Sequence, residues 1–272
     1  ASAVAKQPAS QPARARARLI AEQTAVVPGT TAWLGGAFDI DPDWHLYWNG
    51  VSDTGFAIKL TPDFPAGYTP GEVLWPAPHR HLTENFLDHV YERRVTLLLP
   101  VHIPENAKAG ETVSLKVDAE WLVCKQACLP GDAQMSLTLP IAATAAASPN
   151  AKLFDESRAN LPKSMDKSNP EVRIEWGPDS VTLTNSDRSK GMAFYPSLES
   201  VTVSDLSVQG ESKSDTLHLR LEKPEAGGRL VGVVEIGPGG AGVRKLFAID
   251  CARPALNSNN RGASDPKQPK GG

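Results

Sequence analysis

The sequence predicts an all-β protein built as two β-sandwich domains joined by a short helical linker. Three observations predict it. Short runs with period-two alternation or β-branched residues follow one another along most of the chain. Pro-Gly, Asp-Pro, Ala-Gly-Glu and Pro-Gly-Asp clusters separate those runs at the spacing of an antiparallel arrangement. Only one window, AKLFDESRANLP, reads as a helix.

Taken in order, residues 1–13 are rich in Ala, Ser and Pro and cannot bury enough apolar surface to offset chain-ordering entropy, so they read as a disordered tail. The first domain, 14–143, contains RARLIAEQTAVV, TAWLGGAFDI, FAIKLT, RVTLLLPVHI, TVSLKVDAEWLV and QMSLTLPIA as strands. A small-residue linker, Ala142 to Pro149, leads to the helix, with Ser148 as its expected cap and Pro149 in its first turn. The second domain, 151–254, continues with VRIEWG, SVTLTNS, MAFYPS, VTVSDLSV, TLHLRLEK, RLVGVVEIG and KLFAIDC. Leu217, Leu219 and Leu221 alternate there with His218 and Arg220. Residues 255–272 form a second polar tail by composition.

A net charge of −3 and a pI near 6.1 over 272 residues provide no cationic surface for nucleic acid or anionic membrane. Arg14, Arg16 and Arg18 alternate with alanine and read as the edge of a first strand. No stretch approaches the roughly 20 apolar residues of a membrane helix, and Ala1 to Gln11 lacks the apolar core of a signal peptide. The expectation is a soluble chain, either the mature part of an exported protein or an ectodomain. Three cysteines are too few for a disulfide scaffold, and the odd count leaves one thiol over.

In WHLYW, Trp44, Leu46 and Trp48 share one strand face and read as core, while His45 and Tyr47 share the other, where they could line a groove. His79, His81 and His89 lack an adjoining ligand at a recognised metal spacing, so they read as loop histidines rather than a metal site. There is no GxSxG, GxxxxGK[ST] or HExxH motif. The glycine-rich stretch 237–242 lies between two strands and reads as a hairpin loop rather than a phosphate cradle. No cofactor is expected. Cys251 ends the apolar row of Phe247 and Ile249 and reads as a small buried hydrophobe.

The segment WLVCKQACLPG carries the remaining chemistry. On one straight strand, positions i and i+4 lie about 13 Å apart, whereas a disulfide needs Cα atoms within about 7 Å. The chain must therefore coil at Lys125-Gln126-Ala127, as one helix-like turn would do, if Cys124 and Cys128 are to meet. Metal capture would want two further soft ligands, and a staple closing so short a loop removes little unfolded-chain entropy. Thiol exchange needs two close sulfurs and a cation that favours the thiolate, which Lys125 could supply. Spacing alone favours a redox couple and leaves the staple open. In a redox couple Cys128, beside Leu129-Pro130-Gly131, should be the reachable sulfur, and Cys124, continuing an apolar row, the shielded one.

RARLIAEQTAVVPG, DPDWHLYWNGVSDTG, VLWPAP, LLLPVHIP and above all AEWLVCKQACLPGDAQMSLTLPI resemble the amino-terminal periplasmic domain of the DsbD/ScsB-type thiol:disulfide interchange proteins, in the subgroup with a CxxxC pair. MAFYPS and KLFAIDC resemble, more weakly, the second sandwich of ScsB-like proteins. The resemblance implies immunoglobulin-like sandwiches and an exported, periplasmic location. It also implies that Cys124 and Cys128 relay electrons between a membrane-embedded thiol reductase domain, in the same polypeptide or in trans, and thioredoxin-like proteins. The rival expectation is a non-catalytic binding or adaptor protein in which Cys124–Cys128 is a local brace.

Overall fold

The computed structural model describes residues 14–84, 86–165, 170–223, 227–238 and 244–254, so both expected tails and most of the glycine-rich loop lie outside the described residues. The first half contains β1 (Ala15–Ala21), β2 (Thr31–Ile40), β3 (His45–Tyr47), β4 (Lys59–Asp63) and β5 (Thr69–Pro70). It continues with β6 (His79–Thr83), β7 (Phe86–Glu92), β8 (Arg94–His102), β9 (Thr112–Cys124) and β10 (Cys128–Pro140). One sheet runs β1-β2-β8-β5 and the other β10-β9-β3-β7-β6, with β4 also paired to β9.

Alternation explains the packing. Along β9, Val113, Leu115, Val117, Ala119, Trp121 and Val123 point inward while Ser114, Lys116, Asp118 and Glu120 face water. They meet Leu34, Phe38, Leu97, Leu99 and Val101 of the opposing sheet, with Phe38 edge-on to Trp121 at a centroid distance of 5.3 Å. Arg14 and Arg16 pair with Asp41, and Arg18 with Asp39, as a strand-edge position requires.

Helix α1 (Ala151–Ala159) starts after Asn150, two residues later than a Ser148 cap with Pro149 in the first turn would place it. The Ser148 hydroxyl instead donates to the Ala21 carbonyl and accepts from the Asn150 amide, so it ties the linker to β1. Phe154 is fully buried among Ile20, Ala37 and Leu98, a contact of roughly 2 kcal/mol on area grounds, which seats the helix on the first sheet.

The second half follows with β11 (Lys163–Ser164), β12 (Val172–Trp176), β13 (Ser180–Asn185) and β14 (Met192–Pro196). After α2 (Leu206–Gln209) come β15 (Glu211–Ser212), β16 (Thr216–Arg220), β17 (Arg229–Ile236) and β18 (Lys245–Ala252). They form the sheets β11-β18-β17-β14-β15 and β12-β13-β16, closed over Leu183, Phe194, Leu217, Leu219 and Val234. The protein is thus all-β, with two immunoglobulin-like sandwiches and a short connecting helix. VTVSDLSV, expected as a strand, turns instead into α2: Asp205 takes a left-handed conformation (φ 46°) that breaks the extended run. Among the described residues no helix is long and apolar enough to cross a membrane.

The two sandwiches meet through a polar junction on an apolar base. Ala193, Tyr195, Val233 and Leu246 join the core of the first sandwich beside Trp48. Arg244 donates to Glu235, with Nη2–Oε2 at 2.7 Å, and to the carbonyls of Ala77 and Pro78. Tyr195 donates to the same carboxylate at 2.6 Å. Glu235 is buried, and despite the desolvation that pushes its pKa up, the hydrogen bonds and charge of Arg244 and the Tyr195 hydroxyl hold it below the usual range.

Candidate functional site

Cys124 ends β9 and Cys128 begins β10, and the two are direct cross-strand partners in the hairpin. Their sulfurs are bonded and their Cα atoms lie 4.1 Å apart. The expected helix-like turn is therefore replaced by a hairpin reversal over Lys125, Gln126 and Ala127, closed by the Lys125 amide on the Ala127 carbonyl at 3.3 Å. Pairing strands of 13 residues each on both sides of the reversal sets this geometry, so the disulfide sits on a rigid ladder.

The two sulfurs have different surroundings. Cys124 is buried against Tyr47, Val90 and the partly buried Leu122, whereas Cys128 is exposed. That asymmetry is the one expected from the apolar row before Cys124 and the Leu-Pro-Gly turn after Cys128. The Lys125 ammonium lies 3.0 Å from Asp43 and is already paired, so its charge is shared with a carboxylate.

The side chains that sequence reasoning left in a groove close around the pair. The Tyr47 hydroxyl lies 3.9 Å from Cys128 Sγ, 2.9 Å from Thr54 Oγ1 and 3.4 Å from His45 Nε2. Thr54 donates its hydroxyl to Asp88 at 2.6 Å and its amide to the same carboxylate at 3.0 Å. Hence the VSDTG loop is strung between β7 and Tyr47. Gly55 is required there, since a Cβ at that position would lie 2.1 Å from the Tyr47 ring. His45 packs at 4.6 Å, with the rings tilted by 42°, against His81, which reaches Glu92 at 3.6 Å. Burial, and then the neighbouring His81, hold the His45 pKa below its ordinary value, and burial raises that of Tyr47.

His79, His81 and His89 lie on the strands β6 and β7, not on a solvent-facing loop. His89 is fully buried, and no group of three or more His, Cys, Asp or Glu suited to a metal occurs among the described residues. Cys251 is free and half-exposed near the end of β18 rather than fully buried, because the apolar row stops at Ile249. The sequence flagged the shared face of His45 and Tyr47 but held no local signal for Thr54 and Asp88, which reach the site across 34 residues.

The first sandwich thus carries a formed CxxxC disulfide at a hairpin tip, one sulfur exposed and one shielded, an arrangement suited to a thiol–disulfide interchange module. Residues 16–140 match the sequence profile described as "Thiol:disulfide interchange protein DsbD, N-terminal", and this first sandwich belongs to that family. No curated protein matches the chain in sequence. Among solved structures, the N-terminal periplasmic domain of ScsB from Proteus mirabilis superposes with a TM-score of 0.59 at 14% identity, over 90% of this chain and 97% of that one. The fold likeness therefore extends through both sandwiches. The YadV chaperone (TM-score 0.24, 9% identity, 85% of this chain and 99% of that one) is too distant to inform the site. The same holds for BcpA, the major pilin subunit of Bacillus cereus (0.25, 8%, 90% and 68%).

Proposed function

We propose that Cys124 and Cys128 cycle between dithiol and disulfide in exchange with a thioredoxin-like protein, in the periplasm or an equivalent exported compartment. The observation that carries this reading is the unequal exposure of two bonded sulfurs at the end of a rigid hairpin. In the oxidised form a partner thiolate attacks exposed Cys128 Sγ; the Cys124–Cys128 bond breaks, a mixed disulfide forms on Cys128, and Cys124 leaves as a thiolate that takes up a proton. A second partner thiolate then attacks the partner sulfur of the mixed disulfide and releases Cys128, so two electrons enter this chain as the partner becomes a disulfide. Run in reverse, the Cys128 thiolate attacks a partner disulfide and Cys124 resolves the intermediate. A membrane-embedded thiol reductase domain, in the same polypeptide or in trans, is the proposed electron source that restores the dithiol consumed in the reverse direction.

Tyr47 contributes to this scheme as a movable donor: the Thr54 hydroxyl gives its proton to Asp88 and therefore accepts that of Tyr47 beside the disulfide, and in the dithiol form the Tyr47 hydroxyl can turn to donate to the Cys128 thiolate instead. The test is trapping. Cys124→Ser, lacking the resolving thiol, should accumulate a mixed disulfide with a thioredoxin-like protein, and Cys128→Ser much less. Equal trapping would reject the roles of the two sulfurs, and no trapping in either variant would reject exchange.

A further inference from the structure

The β6–β7 hairpin has two working faces. Its register pairs Arg80 with His89 and His81 with Asp88, so adjacent residues along each strand project to opposite sides. On one side Asp88 holds Thr54 and through it Tyr47, Val90 packs on Cys124, and His81 packs against His45. On the other side the hairpin meets the second sandwich. Arg80 donates to the carbonyls of Leu206 and Ser207 in α2, at 3.3 and 2.9 Å, and pairs with Glu211 on β15 at 3.3 Å. His89 lies edge-on to Tyr195 with 5.4 Å between rings, and Arg244 binds the carbonyls of Ala77 and Pro78 just before β6 begins.

We infer that Arg80 is a positioning residue for the disulfide: the second sandwich grips it and thereby holds the β6–β7 hairpin against the Cys124–Cys128 pair. The Arg80 side chain is 10% exposed, and its guanidinium fork reaches two carbonyls and a carboxylate together, which no smaller cation can do. The second sandwich acts as a brace that sets how tightly Cys124 is covered. When Cys128 is attacked, Cys124 must leave as a thiolate, and a thiolate enclosed by Val90 and Tyr47 is poorly solvated. A braced wall therefore slows cleavage by small thiols, and a loosened one admits water to the leaving sulfur.

The inference rests on the exchange reading of the pair, and one set of rate measurements separates the two. The second-order rate constant for reduction of the oxidised protein by dithiothreitol is measured well below the melting temperature of each variant. Arg80→Ala should reduce about tenfold faster than the native chain, which is about 1.4 kcal/mol of barrier, and Arg80→Lys should recover part of the difference. Gly210→Ala disturbs the same contact from the second sandwich, because a Cβ there would lie 2.3 Å from Arg80 Nη1 and 2.6 Å from the Leu206 carbonyl oxygen that Arg80 binds; it should also accelerate reduction, and it serves if Arg80→Ala does not fold. Arg229→Ala, which loses an exposed pair with Asp250 away from the hairpin, should match the native rate. A purely structural Arg80 would lower the melting temperature and leave the rate constant unchanged; that result in both Arg80→Ala and Gly210→Ala would overturn the inference. If the native bond fails to exchange with a thioredoxin-like protein while Arg80→Ala still accelerates dithiothreitol reduction, the exchange reading falls and the brace stands.

Discussion

Acidification should destabilise the protein through His89, a residue at the back of the hairpin that walls the site. Its ring is fully buried, and Nδ1 lies 2.6 Å from the Val51 carbonyl. A carbonyl only accepts, so Nδ1 carries the proton of the neutral ring, and Nε2 is buried without a hydrogen-bond partner among the described residues. Protonation would create a charged N–H with nothing to receive it. Burial accordingly lowers the His89 pKa from 6.5 to about 4. The unfolded chain thus binds the proton more readily than the native state. Stability is complete above pH 6.5, falls as pH drops from 6.5 towards about 4, and changes no further from this group below that. At 1.36 kcal/mol per pH unit, the window is worth about 3 kcal/mol. The assay is urea unfolding of the native chain and His89→Gln at several pH values between 7 and 4. Carboxylates titrate in both, so the difference between them isolates His89: the stability advantage of the native chain should shrink by up to about 3 kcal/mol across the window. Parallel curves would refute the reasoning, for they would mean that the ring is already charged or solvated in the native state.

Two further outcomes follow from the site and the junction. Tyr47→Phe removes the hydroxyl shared by Thr54 and Cys128 Sγ and should cost about 1 kcal/mol in denaturant unfolding. In the reduced protein, alkylation of Cys128 at neutral pH should slow, because a hydroxyl able to donate to the thiolate is lost. Arg244→Met leaves Glu235 buried with Tyr195 as its remaining donor among the described residues and should destabilise by about 3–5 kcal/mol in denaturant unfolding, the cost of stranding one member of a buried pair. Adding Glu235→Leu should restore much of that loss.

Alternation made the ladder of β9 and β10 legible, because one face of each is wet and the other buried, whereas Cys124 breaks that alternation and was marked as shielded by the apolar row of Trp121 to Val123 before it. The hairpin itself was hidden: a spacing of four suits a helical turn as well as a three-residue reversal, and only the pairing of the flanking strands decides between them. His79, His81 and His89 read as loop histidines for a related reason. Both faces of the β6–β7 hairpin dock on polar partners, Asp88 and His81 towards the disulfide and Arg80 towards α2, so its strands lack an apolar–polar alternation. The junction is equally silent in sequence, since Arg244 meets Ala77 across 167 residues and only the tertiary fold brings them together. Thr54 and Asp88 belong to the same class: ordinary turn and strand residues until the VSDTG loop folds over Tyr47.

The measurement that tests the central claim most directly is the reduction potential of the Cys124–Cys128 bond, determined by equilibration of the whole chain against a dithiothreitol redox buffer. A bond that exchanges with thioredoxin-like partners should equilibrate reversibly at a potential above about −300 mV. A potential below about −300 mV, with a bond that a reduced thioredoxin-like protein cannot open, would mark a structural staple and contradict the account.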